Sequence, residues 1–157
     1  MWIACLAEWG AAGLFVVAAA ADLRRRRIPN VVPALLLAVF AVYVAAGGLL
    51  LIASPWQHLA IGAALLAVGF VLYLSRQFGA GDAKLIAVAG LWVGPAELSS
   101  FLLGLAVCAL TLSLCALLPH ARLRAMRSEL PFAVAIVPPT LWVIVPRALS
   151  REVLGAI

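Results

Sequence analysis

The chain has 157 residues, of which 67% are hydrophobic and only 11% are charged. An ordinary soluble domain is about 45–50% apolar, so this composition excludes a soluble protein and indicates a single unit, residues 1–157, embedded in a membrane. The formal net charge of +5 does not indicate nucleic-acid binding, because the basic residues cluster in short loops between apolar runs. Basic loops of this kind are typical of topology signals in membrane proteins.

Apolar runs long enough to cross a bilayer recur along the chain. They predict an all-α, polytopic membrane protein with about six transmembrane helices, at residues 2–21, 31–52, 58–74, 82–93, 98–118 and 131–149. The first run has no basic residues before it, so we interpret it as a retained span and not as a secretory signal. The fourth is short, because the turn Gly94-Pro95-Ala96-Glu97 interrupts a longer apolar stretch. In the sixth, we expect Pro138-Pro139 to kink or break the helix.

The basic loops predict the orientation of these spans. The loops after the first, third and fifth runs carry basic residues, whereas the loops after the second and fourth carry none. By the positive-inside rule the odd loops are cytoplasmic, and both termini lie on the non-cytoplasmic side. Arg147 and Arg151, near the C-terminus, are exceptions to this rule.

The first loop is a tight basic hairpin between the first two spans. Pro29 suits the first turn of the second helix, where its missing N–H costs nothing. The four basic side chains are expected to anchor the topology and to contact anionic lipid; they are Arg24, Arg25, Arg26 and Arg27.

Two carboxylates stand at equivalent ends of distant spans. Asp22 lies where the first run ends, and Asp82 lies at the start of the fourth, directly after a Gly-x-Gly turn that we expect to be flexible. Taken singly, Asp22 also suits a membrane-surface charge paired with arginine, and Asp82 suits a helix N-cap. If both meet at the cytoplasmic face, they would share one proton. One carboxylate could then activate a water while the other protonates a peptide carbonyl or a leaving amine.

The remaining polar residues are weaker candidates. Glu8 and Glu97 are expected to face water or headgroups on the opposite side, and Glu129 is expected to be a solvated loop charge. His58 and His120 each stand alone at a span end. We therefore expect no metal and no cofactor.

The two aspartates belong to segments with a recognisable pattern. Asp22-Leu23-Arg24-Arg25-Arg26-Arg27-Ile28-Pro29-Asn30 and Gly79-Ala80-Gly81-Asp82-Ala83-Lys84-Leu85 resemble the paired motifs of type IV prepilin peptidases, which are Gly-x-Gly-Asp intramembrane aspartyl proteases. The resemblance implies that Asp22 and Asp82 are the catalytic pair. It also implies a supporting set of motif residues: Ile28, Pro29, Asn30, Gly79, Gly81, Lys84, Pro131 and Phe132.

The later segment Leu130-Pro131-Phe132-Ala133 is similar to a Pro-aromatic-Gly segment of the family, with Ala133 in place of the usual Gly. The chain looks most like the short members found with tight-adherence (Flp) pili. Longer relatives carry an N-terminal region with Cys-x-x-Cys pairs and also methylate the product, so methyltransferase activity is not expected here.

The family cuts a short basic leader from prepilins at the cytoplasmic face, so the resemblance implies an enzyme of the bacterial inner membrane. The implied partners are a prepilin and the lipid bilayer, with no nucleic acid. Two other readings stay open: a small transporter in which the aspartates line a polar pathway, and a non-catalytic subunit of a pilus or secretion machine. Both predict that the purified protein does not cleave a prepilin.

Overall fold

The computed structural model describes residues 2–48, 55–76, 78–117 and 131–155, and within these ranges the chain is helical throughout, with short turns and no strand. The helices are α1 (Trp2–Arg25), α2 (Val31–Ala45), α3 (Pro55–Leu74), α4 (Ala80–Val93), α5 (Leu98–Leu117) and α6 (Ala133–Gly155). The predicted all-helical, polytopic fold is confirmed. Four of the described helices are long and apolar enough to cross a membrane, namely α1, α3, α5 and α6.

The helix boundaries differ from the predicted spans by one to four residues at several ends, and by more in two places. The second span was expected to reach residue 52, but α2 ends at Ala45 and a turn follows, in which Gly47 has a φ of 75°. A positive φ is a conformation that glycine adopts without steric cost, so this turn stops the helix although the sequence stays apolar. Residues 49–54 lie outside the described ranges. The last helix extends to Gly155, beyond the predicted residue 149.

The prolines of α6 do not break it. Pro138, Pro139 and Pro146 all lie inside one continuous helix. Transmembrane helices tolerate internal proline because neighbouring helices and hydroxyl side chains contact the backbone groups that proline leaves unpaired. Pro138 and Pro139 leave the carbonyls of Val134 and Ala135 without a helical N–H donor, and the hydroxyl of the buried Thr140 bonds the next carbonyl along, that of Ile136, at 2.7 Å. Of the expected kink or break, the break is therefore wrong, because α6 is one uninterrupted helix.

Helix α4 is the centre of the fold. It packs against α2, α3, α5 and α6, while α1 packs against α2 and α6. Its buried residues are Ala83, Leu85, Ala87, Val88, Ala89, Gly90, Leu91, Trp92 and Val93. A helix that is buried on nearly all sides needs apolar and small residues all round it, which is why its sequence shows no polar face.

The C-terminal end of α4 also lies inside the bundle, where its last carbonyls must find donors. The Gly90 carbonyl accepts the Gly94 N–H at 3.0 Å, and the Leu91 carbonyl contacts Nδ1 of His58 at 2.6 Å. Arg147 donates to the last two carbonyls, those of Trp92 and Val93, at 3.1 and 2.8 Å. The end of this short helix is therefore fully paired by groups from other parts of the chain.

Glu8 corrects an expectation. It was predicted to face water or headgroups, yet its side chain is only 2% exposed and its Oε1 lies 3.2 Å from Nε of Arg151. Arg151 also donates to the hydroxyl of Tyr43, at 3.1 Å, and to the carbonyl of Gly48. Arg147 and Arg151, which departed from the positive-inside pattern, thus have partners inside the bundle.

Candidate active site

One cavity of about 300 Å³ lies at the end of the bundle where α1 ends and α4 begins. Its walls come from the basic hairpin and from the Gly-x-Gly-Asp segment, and are formed by Asp22, Arg26, Arg27, Ile28, Asn30, Gly79, Ala80, Gly81 and Asp82. The two aspartates, which are far apart in the sequence, therefore face the same small space.

Asp22 is held by the beginning of another helix. It lies in the last turn of α1 and is only 6% exposed. Its Oδ2 accepts a hydrogen bond of 3.0 Å from the backbone N–H of Ala133, the first residue of α6. The first N–H groups of a helix have no partner inside the helix, and the helix dipole there favours an anion. The N-terminus of α6 therefore binds the Asp22 carboxylate and favours its ionised form.

Asp82 lies in the first turn of α4 and is partly buried. Gly79, at the N-cap of the same helix, is so near that a Cβ atom at this position would stand 2.8 Å from Oδ2 of Asp82. A Cβ at Gly81 would stand 3.1 Å from Cβ of Ile28. Both glycines therefore make room for a close approach, one to the carboxylate and one to the hairpin.

The reason for these glycines differs from the one expected. The Gly-x-Gly turn was predicted to be a flexible connection, but Gly79 has an ordinary extended backbone, with φ −76° and ψ 147°, and Gly81 lies within α4. Neither needs a conformation reserved for glycine. What they need is the absence of a side chain.

Arg26 shapes the hairpin beside Asp22. Helix α1 ends at Arg25, and Arg26 follows with a φ of 49°, a left-handed conformation that is uncommon for residues other than glycine. Its N–H still bonds the carbonyl of Asp22 at 2.8 Å. Topology and lipid contact were the main roles expected of the four arginines, and Arg26 and Arg27 also line the cavity.

The hairpin is tied to α4 by a side-chain hydrogen bond. Nζ of Lys84 donates to Oδ1 of Asn30 at 2.9 Å. This bond links the Gly-x-Gly-Asp segment, which contains Lys84, to the Ile28-Pro29-Asn30 end of the basic hairpin. Pro29 does not line the cavity and was expected in the first turn of α2. It instead precedes the helix, and its carbonyl accepts the N–H of Val32 at 3.0 Å.

The Pro131-Phe132 segment reaches the same end of the molecule. The ring of Phe132 lies with its centroid 4.8 Å from that of Phe78, the residue that precedes the Gly-x-Gly turn. Pro131 is buried, and its carbonyl accepts the N–H of Val134 at 3.1 Å in the turn that starts α6. Phe78 was not among the predicted site residues, although an aromatic residue directly before the motif was a usable signal.

The other weighed residues lie elsewhere. Glu97 follows α4 at the opposite end of that helix, and His58 contacts that end. Glu129 and His120 fall outside the residues that the structure describes, as do the arginines of the third predicted cytoplasmic loop.

Comparison with known proteins agrees with this arrangement at the level of the family. Residues 9–116 match the model of the type IV leader peptidase family, and this range contains both aspartate segments. Searches of the curated proteins and of the solved structures found no match. Because the match extends over more than half of the sequence, the chain belongs to the type IV leader peptidase family.

Proposed function

We propose that this protein is a membrane aspartyl endopeptidase, which removes the short basic leader from prepilins of the Flp type at the cytoplasmic face of the bacterial inner membrane. Asp22 and Asp82 are its catalytic residues. Membership of the leader peptidase family supports the reaction class. The observation that carries the assignment of residues is the shared cavity, into which both carboxylates face.

The chemistry follows from two carboxylates that share one proton. The ionised carboxylate takes a proton from a water molecule while the oxygen of that water attacks the scissile carbonyl. The protonated carboxyl gives its proton to the carbonyl oxygen. The resulting tetrahedral intermediate, a gem-diol, collapses when the first carboxyl gives its proton to the leaving amine. One hydroxyl of the diol then returns its proton to the second carboxylate, which leaves a carboxylic acid product and restores the starting pair. The protons balance over the cycle, and water is the only co-reactant.

The surroundings of the pair suit this role. The hydrogen bond from the Ala133 N–H holds Oδ2 of Asp22, which leaves Oδ1 to handle the proton. The missing side chains of Gly79 and Gly81 let the Asp82 carboxylate and Ile28 lie close against the start of α4, so the two motifs meet at one cavity. Three arginines of the hairpin, Arg24, Arg25 and Arg27, are exposed and are suited to anionic lipid headgroups.

The test is leader cleavage by purified protein in phospholipid vesicles, with a prepilin that carries a basic leader and an apolar helix. Asp22→Asn and Asp82→Asn should each abolish cleavage, since an amide keeps the shape of the carboxyl but cannot transfer the proton. The double variant should be no worse than either single variant, because the two groups act as one unit.

Glu152→Gln is the matched control, because Glu152 is an exposed carboxylate in α6, and it should cleave at the wild-type rate. Substantial cleavage by either asparagine variant would remove that aspartate from the catalytic role. Absence of cleavage by the wild-type protein would favour the assembly-subunit or transporter readings.

A further inference from the structure

A second cavity opens beside the aspartate site. It is a groove of about 410 Å³ between α2 and α3, with α4 as its floor. It is lined by Asn30, Pro33, Ala34 and Leu37 from α2 and the residue before it, by Leu59, Gly62, Ala63 and Leu66 from α3, and by Lys84, Ala87, Val88 and Leu91 from α4.

The lining residues share one spacing. On each of the three walls they stand at positions i, i+3, i+4 and i+7, which is one continuous face of a helix over two turns. At 1.5 Å per residue each face is about 10 Å long. Three faces of equal length therefore border a trough about two helical turns long.

The trough is open to the side. Both α2 and α3 pack on α4, but within the described residues they make almost no contact with one another. The apolar residues of the floor are buried, as for Val88 at 4% exposure, while Lys84 at its end is exposed. The rim leucines are exposed, namely Leu37, Leu59 and Leu66. An apolar segment in the bilayer can therefore enter sideways, without passing through water.

Small side chains line much of this trough. Ala34, Ala63 and Ala87 are small enough to let another backbone come close, and close packing of backbones is one source of helix association within lipid. A flexible acyl chain gains little from such a surface, since it does not need a straight trough with matched walls.

The trough also leads to the aspartates. Asn30 lines both the groove and the cavity that contains Asp22 and Asp82. The Lys84–Asn30 hydrogen bond marks the point where the two spaces meet. The groove's polar residues are confined to this end, while the rest of the lining is apolar. A chain lying in the groove would thus pass from an apolar stretch directly to the carboxylates.

We propose that this groove between α2 and α3 binds the apolar helix of the substrate, with the first two turns of that helix seated on α4 and the cleaved bond at the Asn30 end. The proposal rests on the proposed peptidase function, because it takes the substrate to be a leader joined to an apolar helix. It adds a docking surface that lies outside the catalytic cavity and that selects substrates by their membrane segment.

Site-specific photo-crosslinking tests the docking directly and does not depend on turnover. A benzophenone amino acid replaces Ala63 in the Asp82→Asn variant, and the protein is illuminated in phospholipid vesicles with a synthetic peptide of a basic leader and a 20-residue apolar helix, as about 20 residues span a bilayer. Ala63 is exposed and lines the groove, while its neighbour Ala64 is exposed and does not. We expect crosslinks to the apolar segment from position 63, at least tenfold above those from position 64.

Equal crosslinking from both positions would overturn the proposal. So would crosslinks from position 63 to lipid alone, which would make the groove a lipid site. Crosslinking confined to position 63 combined with no cleavage by the wild-type protein would contradict the peptidase function and leave the docking surface standing. Normal cleavage without preferential crosslinking would leave the peptidase function standing and contradict the docking surface.

A kinetic comparison supplies a second, independent readout. Ala63→Phe should fill the groove and raise KM for the helix-bearing peptide at least tenfold, about 1.4 kcal/mol of binding free energy, with kcat nearly unchanged. Ala64→Phe should leave both constants at wild-type values. Ala34→Phe repeats the test from the opposite wall if Ala63→Phe lowers thermal stability. Wild-type KM in stable variants at both positions would overturn the proposal.

Discussion

At the residue scale, the contact between Asp22 and the beginning of α6 is the main structural feature of the site. The hydrogen bond comes from a backbone N–H, so the identity of the side chain at position 133 matters only through its size. Ala133 is fully buried. Because the donor is a backbone N–H, alanine can hold Asp22 at this position as glycine would.

Substitutions at position 133 should separate size from hydrogen bonding. Ala133→Gly keeps the N–H donor and should retain cleavage within about threefold of wild type, less than 1 kcal/mol. Ala133→Leu overfills a buried position and should shift the start of α6 away from Asp22, so that cleavage falls at least tenfold.

The control is Ala148→Leu, which overfills a fully buried position in the last part of the same helix. It should cost similar thermal stability while cleavage at a permissive temperature falls much less. Equal loss of cleavage from the two leucine variants would make the effect of position 133 merely structural.

Gly79 permits a different test at the same scale. Its backbone conformation is open to alanine, yet the added Cβ would stand 2.8 Å from Oδ2 of Asp82. Gly79→Ala should therefore displace the carboxylate and lower cleavage at least tenfold, with thermal stability unchanged.

Gly10→Ala provides the comparison, because a Cβ there meets nothing within 4 Å in a helical position. It should leave cleavage at the wild-type rate and stabilise the protein by about 0.5–1 kcal/mol. Full activity of Gly79→Ala would show that the carboxylate moves aside at no cost.

At the scale of elements, α4 is a short helix whose C-terminus ends inside the bundle. Such an end is tolerated within a membrane only where the surrounding protein satisfies its carbonyls. Arg147 serves two of them and brings a positive charge to the negative end of the helix dipole. Gly94, with a φ of 75°, lies against the ring of His58, where any side chain would overlap the imidazole.

Removing the Arg147 side chain should therefore destabilise the whole fold. Arg147→Leu leaves the carbonyls of Trp92 and Val93 without donors, at a cost of about 1–3 kcal/mol each. Thermal unfolding in detergent should show a clear fall in midpoint. Arg25→Leu, which removes an exposed arginine at the end of α1, should change stability by less than about 0.5 kcal/mol. Equal midpoints for the two variants would show that other donors replace Arg147.

On the scale of the whole molecule, polar groups are gathered at the two ends of the bundle. Glu8 and Asp22 stand 14 residues apart on α1, roughly 20 Å along the helix. Asp22 faces the candidate site, while Glu8 meets Arg151 at the other end. The exceptions to the positive-inside pattern belong to that second end, where they serve internal partners.

The orientation predicts which loops a membrane-impermeant thiol reagent reaches. After Cys5, Cys108 and Cys115 are replaced by serine, cysteines at Arg25 and Arg76 should react only from the cytoplasm. A cysteine at the exposed Ala96, in the turn between α4 and α5, should react only from the opposite side. Labelling of position 76 from outside would place the start of α4 on the wrong face for leader cleavage.

Much of this protein can be predicted from local sequence. The length of apolar runs indicated helices close to those observed, and two short motifs singled out Asp22 and Asp82. The predictions were wrong where contacts between distant helices decided the outcome. A proline pair that would end a soluble helix stays within α6, and an acidic residue in an apolar run became a buried ion pair.

The sequence by itself determined that the chain is a membrane protein of helices and that two aspartates lie at helix ends, because hydrophobicity and motifs are properties of neighbouring residues. Only the tertiary structure decided which residues of those helices contact one another. The Ala133 N–H meets Asp22 across 111 positions, and Arg147 meets Trp92 across 55. Helices that are apolar all round carry no periodic signal of which face is inward. The pairing of their ends and the open trough between α2 and α3 therefore follow from packing alone.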